Sequence, residues 1–244
     1  MNAIEIKNLS KSYGDKKAVD ALNLTIQQGE LFGLLGINGA GKTTTIKMLC
    51  CLAKPTSGDA FLLGSSIIKD SQKVKEIIGV SPQETAIAPN LSVRENLELI
   101  AGVYGHNAKD ARAKADGIIE TLSLDQVEKQ KAKTLSGGWQ RKLSIGMALI
   151  SQPQVLFLDE PTVGLDVIAK RELWNVVRSL KGRITIILTT HYLEEAEALC
   201  DRICIMAGGK LKAIGTADEL KKLSGKDNFE DAFVELASRG GALK

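Results

Sequence analysis

The sequence has 244 residues, of which 44% are apolar and 25% charged, with a formal net charge of +3. This composition suits an ordinary globular protein of one large or two small domains, and the nearly balanced charge gives no ground for a nucleic-acid-binding class. No apolar run approaches the ~18 residues needed to span a bilayer, and four cysteines in a chain of this length do not make a disulfide scaffold.

In chain order, Ile4-Glu5-Ile6 alternates as a strand does, and Leu22 to Ile26 alternates again after the turn signal Gly14-Asp15. Leu31 to Leu35 is a continuous apolar run, as expected of a strand buried on both faces. It feeds directly into Gly36-Ile-Asn38-Gly39-Ala40-Gly41-Lys42-Thr43-Thr44, which matches the phosphate-binding pattern G-x-x-x-x-G-K-(S/T). Thr44 to Leu52 reads as a helix stopping before Pro55. Strand, glycine loop and helix therefore follow in the order the motif needs. Backbone N–H groups at such a turn and helix start bind phosphate oxygens. Lys42 would reach the β- and γ-phosphates of a nucleotide, and the Thr43 hydroxyl would bind Mg2+.

Phe61-Leu62-Leu63 and Ile77 to Val80 are expected to be short strands. From Ser92 to about Ile150 the periodicity becomes helical. Ser92-Val93-Arg94-Glu95 is a capping-box pattern, and Ala108 to Leu122 is a charged, Ala-rich amphipathic helix. Leu135-Ser136-Gly137-Gly138, ahead of another helical stripe, offers a second glycine-rich nest; read alone, it is equally a plain helix N-cap.

Val155 to Leu158 returns to a buried strand that delivers Asp159 and Glu160 to its end. Adjacent carboxylates repel each other unless a cation is near, and a metal-bound triphosphate rationalises the pair. Ile184 to Leu188 is another strand, with a helix from about Leu193 to Cys200. Arg202 to Met206 and Lys210 to Ala213 suggest a hairpin about Gly208-Gly209, and Thr216-Ala217-Asp218-Glu219 caps a further helix. The tail from Phe229 to Leu236 carries an apolar stripe at helical spacing. Cys200 and Cys204, with no His or third Cys beside them, are expected as buried thiols rather than a metal pair. Met1 to Lys7 contains no signal-peptide core, so a cytosolic protein, or one attached to a membrane through a partner, is expected.

Together the motifs resemble the ATP-binding cassette family, over roughly residues 3–236, and specifically the nucleotide-binding subunit of an ABC transporter. The resemblance implies an α/β fold: a P-loop NTPase, RecA-like core with an antiparallel β subdomain and an inserted α-helical subdomain. It divides the chain at 1–83 (first part of the core), 84–150 (helical subdomain with the signature), 151–225 (second part of the core) and 226–244 (tail). It implies that Ser136, Gly137 and Gly138 of one subunit close over the γ-phosphate held by the P-loop of another. The usual Gln after that signature is Trp139 here. Tyr13 falls where the family stacks an aromatic on adenine. Gln83 matches the loop glutamine that contacts Mg2+ and water and couples to the membrane partner, and Asp166 matches the loop that signals across the dimer, followed by Val167 in place of the common Pro. His191 matches the switch histidine that senses the γ-phosphate.

The implied activity is ATP hydrolysis with Mg2+. The loop amides from Gly36 to Thr44, with Lys42, clamp phosphate. Thr43, Gln83 and Asp159 surround the metal, and Glu160 handles the water. The implied partners are a second cassette and an integral-membrane permease, which would put the chain at the cytoplasmic face of the membrane; no nucleic acid is expected. The tail and the sequence Leu-Ser-Gly-Gly-Trp are similar to the drug- and sodium-export branch, so an exporter is expected. A soluble ABC ATPase of translation or DNA repair fits less well, because the chain has one P-loop, one signature and a short helical segment. A GTP-binding switch would need an Asn-Lys-x-Asp run, which is absent. A non-hydrolysing regulatory cassette sits poorly with intact Lys42, Asp159, Glu160 and His191.

Overall fold

The computed structural model describes residues 1–239, so the last five residues of the expected 226–244 tail lie outside the described residues. The chain divides into two units, one built from 1–76 and the chain from 181 onward, the other from 77–180.

The first unit opens with two long antiparallel strands, β1 (Asn2–Tyr13) and β2 (Lys16–Gln27). The sequence pattern marks only their middles, because bulges break the alternation. Register shifts fall between Ile6 and Leu9 and on to Ser12, with Asn8 and Ala21 at positive φ. Side chains satisfy the disrupted ladder. Asn23 Oδ1 accepts from Asn8 N–H at 2.8 Å, and Ser10 Oγ accepts from Ala21 N–H at 2.9 Å. The buried strand β3 (Leu31–Leu35) leads into the glycine loop and α1 (Lys42–Leu49). Strand β4 (Ser57–Leu62) pairs with β1 and with the short β5 (Ser65–Ser66). Helix α2 (Ser71–Ile77), which the sequence pattern does not announce, occupies the end of this stretch.

The second unit contains a parallel pair, β6 (Ile78–Ser81) and, later in the chain, the fully buried strand Val155–Asp159. Between them run α3 (Val93–Val103), α4 (Ala108–Thr121) and α5 (Gly137–Leu149). The capping box at Ser92 forms as expected, with Ser92 N–H donating to Glu95 and Glu95 N–H donating to Ser92. Arg94 ties α3 to Asp116 of α4 and to Glu128 at 2.7 and 2.9 Å. Helix α5 lies on β6, where Ser144 Oγ and Ser81 Oγ share a buried 2.9 Å hydrogen bond. The strand Val155–Asp159 is β7, and α6 (Val167–Leu180) follows it, burying Leu173, Trp174 and Val177. Trp174 packs in the interior of this unit, with Lys170 stacked on its ring.

The first unit resumes with β8 (Thr185–Thr190), α7 (Leu193–Leu199), β9 (Arg202–Ala207) and β10 (Lys210–Gly215). Strand β3 lies between β8 and β9, parallel to both, with Leu35 opposite Thr190 and Ile205. Helices α8 (Ala217–Ser224) and α9 (Phe229–Ser238) close this unit. The stripe read at Phe229 to Leu236 docks, burying Phe229, Leu236 and Ala237 among Leu35, Ala196, Ile203 and Ile205. Cys50 and Cys204 are buried, Cys51 and Cys200 half-buried, and none of the four is in a disulfide.

Candidate functional site

The first unit carries the glycine loop, Tyr13 and His191. Gly41 is the N-cap of α1 with φ +104, and no side chain caps that helix or places an acid in its first turn. A helix start left in this state offers its amides to an anion. Gly41 could be no other residue, because a Cβ there would stand 2.5 Å from the Ala18 carbonyl oxygen. Gly36 keeps ordinary negative φ and is needed for close approach instead, since a Cβ would collide with Met206 O. Lys42 is buried and folds back over the loop, donating to Gly36 O at 2.7 Å and Ile37 O at 3.4 Å. Ile37, Asn38 and Gly39, the crest of the loop, are exposed, Ala40 is buried, and Thr43 and Thr44 are half-buried. This is a shell of amides, one ammonium and hydroxyls, suited to phosphate.

His191 follows β8 directly. The parallel register puts it and the loop at the same end of adjacent strands, and Gly36 N–H donates to Thr190 O at 3.3 Å. Its ring lies 4.2 Å from that of Tyr192. Tyr13 ends β1 opposite Lys16; the residue is 51% exposed, with Lys11 Nζ 5.0 Å from the ring centroid, so an aromatic surface is presented at the hairpin.

The second unit carries Gln83, the signature, the two carboxylates and Asp166. Asp159 ends β7 and Glu160 follows with φ +48, both buried. A β-carbon residue held in the left-handed region is strained by roughly 1–2 kcal/mol, and such positions cluster where chemistry is done. Ser81 pairs with Leu158, so Gln83 and Glu160 lie just past the same ends of their strands. Gln83 is exposed, but its backbone is fixed: Arg141 donates to the carbonyl oxygens of Pro82 and Gln83, each at 2.7 Å. Burial pulls the Arg141 guanidinium below its ordinary value, and the nearby Asp159 charge opposes that. The motifs did not single out Arg141; its position two residues past Trp139 in α5 was the only signal.

Ser136 is the N-cap of α5, with no side-chain cap bond, and both it and Gly137 are exposed. Lys142 Nζ stacks on the Trp139 ring, 4.4 Å from its centroid, and also pairs with Glu172 at 2.8 Å. Asp166 Oδ1 accepts from the Ile168 and Ala169 N–H groups at 2.9 Å, so it already caps α6. Oxygen donors of the type offered by Thr43 and Asp159 suit Mg2+, a hard cation.

Residues 19–163 match the family described as ABC transporter. The chain is 41% identical over 242 residues to the daunorubicin resistance ATP-binding protein DrrA3 of Streptomyces coeruleorubidus, covering 99% of this chain and 77% of that protein. It is 40% identical to the probable multidrug ABC transporter ATP-binding protein YbhF of Escherichia coli (strain K12), a longer protein of which it spans 41%, with 96% of this chain covered. Among solved structures, an ATP-binding subunit of an ABC transporter superimposes with a TM-score of 0.84 at 28% identity, covering 96% of this chain and 99% of that one. The cassette MJ0796, as a post-hydrolysis dimer bound to ADP and Pi, gives 0.78 at 26% identity, covering 87% and 98%.

Proposed function

The chain belongs to the ABC transporter family, as an ATP-binding subunit that hydrolyses ATP, and on that premise we propose that it pairs with a second cassette to drive a separate membrane permease in the export direction. The observation that carries the site assignment is the register of β3 and β8, which brings the uncapped glycine loop and His191 to one strand end with Gly36 bonded to Thr190. In this reading residues 1–83 and 151–225 make the ATP-binding core, 84–150 present the signature, and 226–244 form a tail.

The amides from Gly36 to Thr44, including those of Asn38, Gly39 and Ala40, and the Lys42 ammonium hold the β- and γ-phosphates. Tyr13 stacks on adenine. Thr43, Gln83 and Asp159 are the proposed Mg2+ ligands; the ion, when bound, neutralises phosphate charge. Glu160 takes a proton from the attacking water as its oxygen bonds to the γ-phosphorus. The bond to the β–γ bridging oxygen breaks, releasing ADP and inorganic phosphate. His191 donates to the γ-phosphate oxygens. Ser136, Gly137 and Gly138 contribute from the opposite subunit, and Asp166 meets the same neighbour. Catalysis of this type is positioning and electrostatics.

Among the described residues no helix is long and apolar enough to cross a membrane, which fits a chain bound to the cytoplasmic face through its permease. The name of DrrA3, a drug-resistance protein, supports export. Affinity purification of the tagged chain from detergent-solubilised membranes tests the proposal. Recovery with a multi-span protein is expected. Recovery only with ribosomes or DNA-repair proteins would replace it with the soluble ABC ATPase reading.

A further inference from the structure

The glycine loop is held from behind by backbone that touches no phosphate in the reading above. Gly209, in the turn between β9 and β10, donates its N–H to Ala40 O at 3.2 Å and accepts from Asp20 N–H at 2.8 Å. The Ala18 carbonyl of β2 faces both sides of this junction. It lies 2.5 Å from the position a Cβ on Gly41 would take and 2.8 Å from that of a Cβ on Gly209. The Gly209 Cα itself lies 3.5 Å from the Gly41 Cβ position. Three backbone segments thus interlock with no room for a side chain at either glycine.

Side chains fasten the outside of the junction. The Asp20 carboxylate pairs with Lys17 at 2.5 Å and with Lys210, the residue after Gly209, at 3.3 Å. Strand β2 is also the partner of β1, and Tyr13 sits opposite Lys16 at the end of that hairpin. The strand edge that leads to Tyr13 is therefore the one that grips the turn and the loop.

We propose that Gly209 is a positioning residue for ATP binding: it fixes the Ala40–Lys42 segment of the loop and couples it to the β1–β2 hairpin that bears Tyr13, so that the base and phosphate subsites are set before ATP arrives. The proposal rests on the phosphate-binding assignment of residues 36–44. A loop ordered in advance loses less entropy on binding, so disturbing Gly209 acts on affinity, while Glu160 and His191 keep their identity and the chemical step is spared.

Adjacent glycines provide the test. Gly208 and Gly209 have φ of +57 and +76, a region asparagine tolerates better than other side-chain residues. A Cβ on Gly208 meets nothing within 4 Å, whereas one on Gly209 meets Ala18 O and, at 3.1 Å, its carbon. Gly208→Asn and Gly209→Asn are compared with the wild type by titration with a fluorescent ATP analogue, steady-state turnover and melting with and without ATP. Gly209→Asn should raise Kd and KM about tenfold or more with kcat within about threefold, and the melting shift produced by a fixed ATP concentration should shrink. Gly208→Asn should stay within about twofold throughout. Asp20→Ala, which introduces no clash, should raise KM about threefold, and it decides the matter if Gly209→Asn does not fold. Wild-type ATP affinity in Gly209→Asn, equal losses in both asparagine variants, or an unchanged KM in Asp20→Ala when that variant alone is soluble, each overturns the proposal. Lys42→Ala serves as the separate control: if it binds ATP like the wild type, the assignment of residues 36–44 fails instead.

Discussion

Arg141 Nη2 donates to the Gln83 carbonyl oxygen at 2.7 Å, so the helix that begins at the signature holds the backbone of the loop glutamine. With the matching bond to Pro82, this is a buried, forked, charge-assisted contact. Arg141→Met keeps the stem and removes both bonds. It should lower unfolding free energy by about 2–3 kcal/mol and reduce turnover, as read by urea denaturation and phosphate release. Arg141→Lys cannot reproduce the fork and should recover less than half of either loss.

Glu160→Gln is isosteric and meets the same φ of +48, so the fold should be retained. Without the carboxylate to accept a proton, turnover should fall by about 10²–10⁴ while ATP binding persists. Size exclusion with ATP should then show a stable dimer, because closure is no longer followed by hydrolysis. Turnover equal to the wild type would refute the role given to Glu160.

Lys42→Ala removes an ammonium that is 4% exposed and bonded to Gly36 O. ATP affinity should fall at least about 100-fold, in line with loss of a buried charge-to-phosphate contact, and the loop should lose about 1.5–3 kcal/mol of support. Equilibrium dialysis with labelled ATP and a melting curve separate the two effects.

Trp139→Gln restores the residue usual in the family's signature. The Trp139–Lys142 stack is lost, but Lys142 keeps Glu172 and the Ser136–Gly138 backbone is unchanged. Stability should drop by about 0.5–1 kcal/mol, with turnover within about twofold of the wild type. A loss of ATP-driven dimerisation beyond that would mean that Trp139 itself meets the second subunit.

Burial pushes the Cys204 thiol up to about 12 from an ordinary value of 9.0, and burial, with Glu195 and Asp201, also raises Cys200. The folded state therefore keeps a proton that the unfolded chain releases near pH 9. The full contribution is present below that pH, and stability declines as pH rises from about 9 towards 12, by about 1.4 kcal/mol per pH unit for each thiol. Comparing wild type with Cys204→Ala by urea denaturation at pH 8, 9 and 10 isolates one thiol. The variant should show a shallower decline; parallel curves would rule out the linkage.

Local signals in the sequence were strong where chemistry and capping coincide. The strands at 31–35 and 155–159, the capping boxes at Ser92 and Thr216 and the hairpin around Gly208-Gly209 all form near the expected residues. Periodicity failed where tertiary structure bends the chain. β1 and β2 extend well beyond Ile4–Ile6 and Leu22–Ile26, because bulged residues such as Asn8 and Ala21 are satisfied by Asn23 and Ser10 from the neighbouring strand. Helix α2 is only seven residues long, and the Asp166 cap of α6 lies in the loop that the resemblance assigns to signalling across the dimer, so neither helix start stands out in the pattern. The site was legible as a set of residue types. Arg141 and Gly209 were not, because their value lies in bonds to carbonyls far away in sequence, which no motif records.

The order of synthesis matters for β3. Leu31 pairs with Ile186, about 155 positions later, and Phe32 with Arg202. At translation rates of about 5–20 residues per second, the strand that ends at the glycine loop waits roughly 8–30 s for its neighbours to leave the ribosome. The contiguous unit 77–180 is synthesised in full during that interval. Nucleotide capture is thus deferred until strands in the last quarter of the chain have emerged, and a nascent cassette passes through a period in which an apolar strand, Leu31 to Leu35, is uncovered and needs shielding from aggregation.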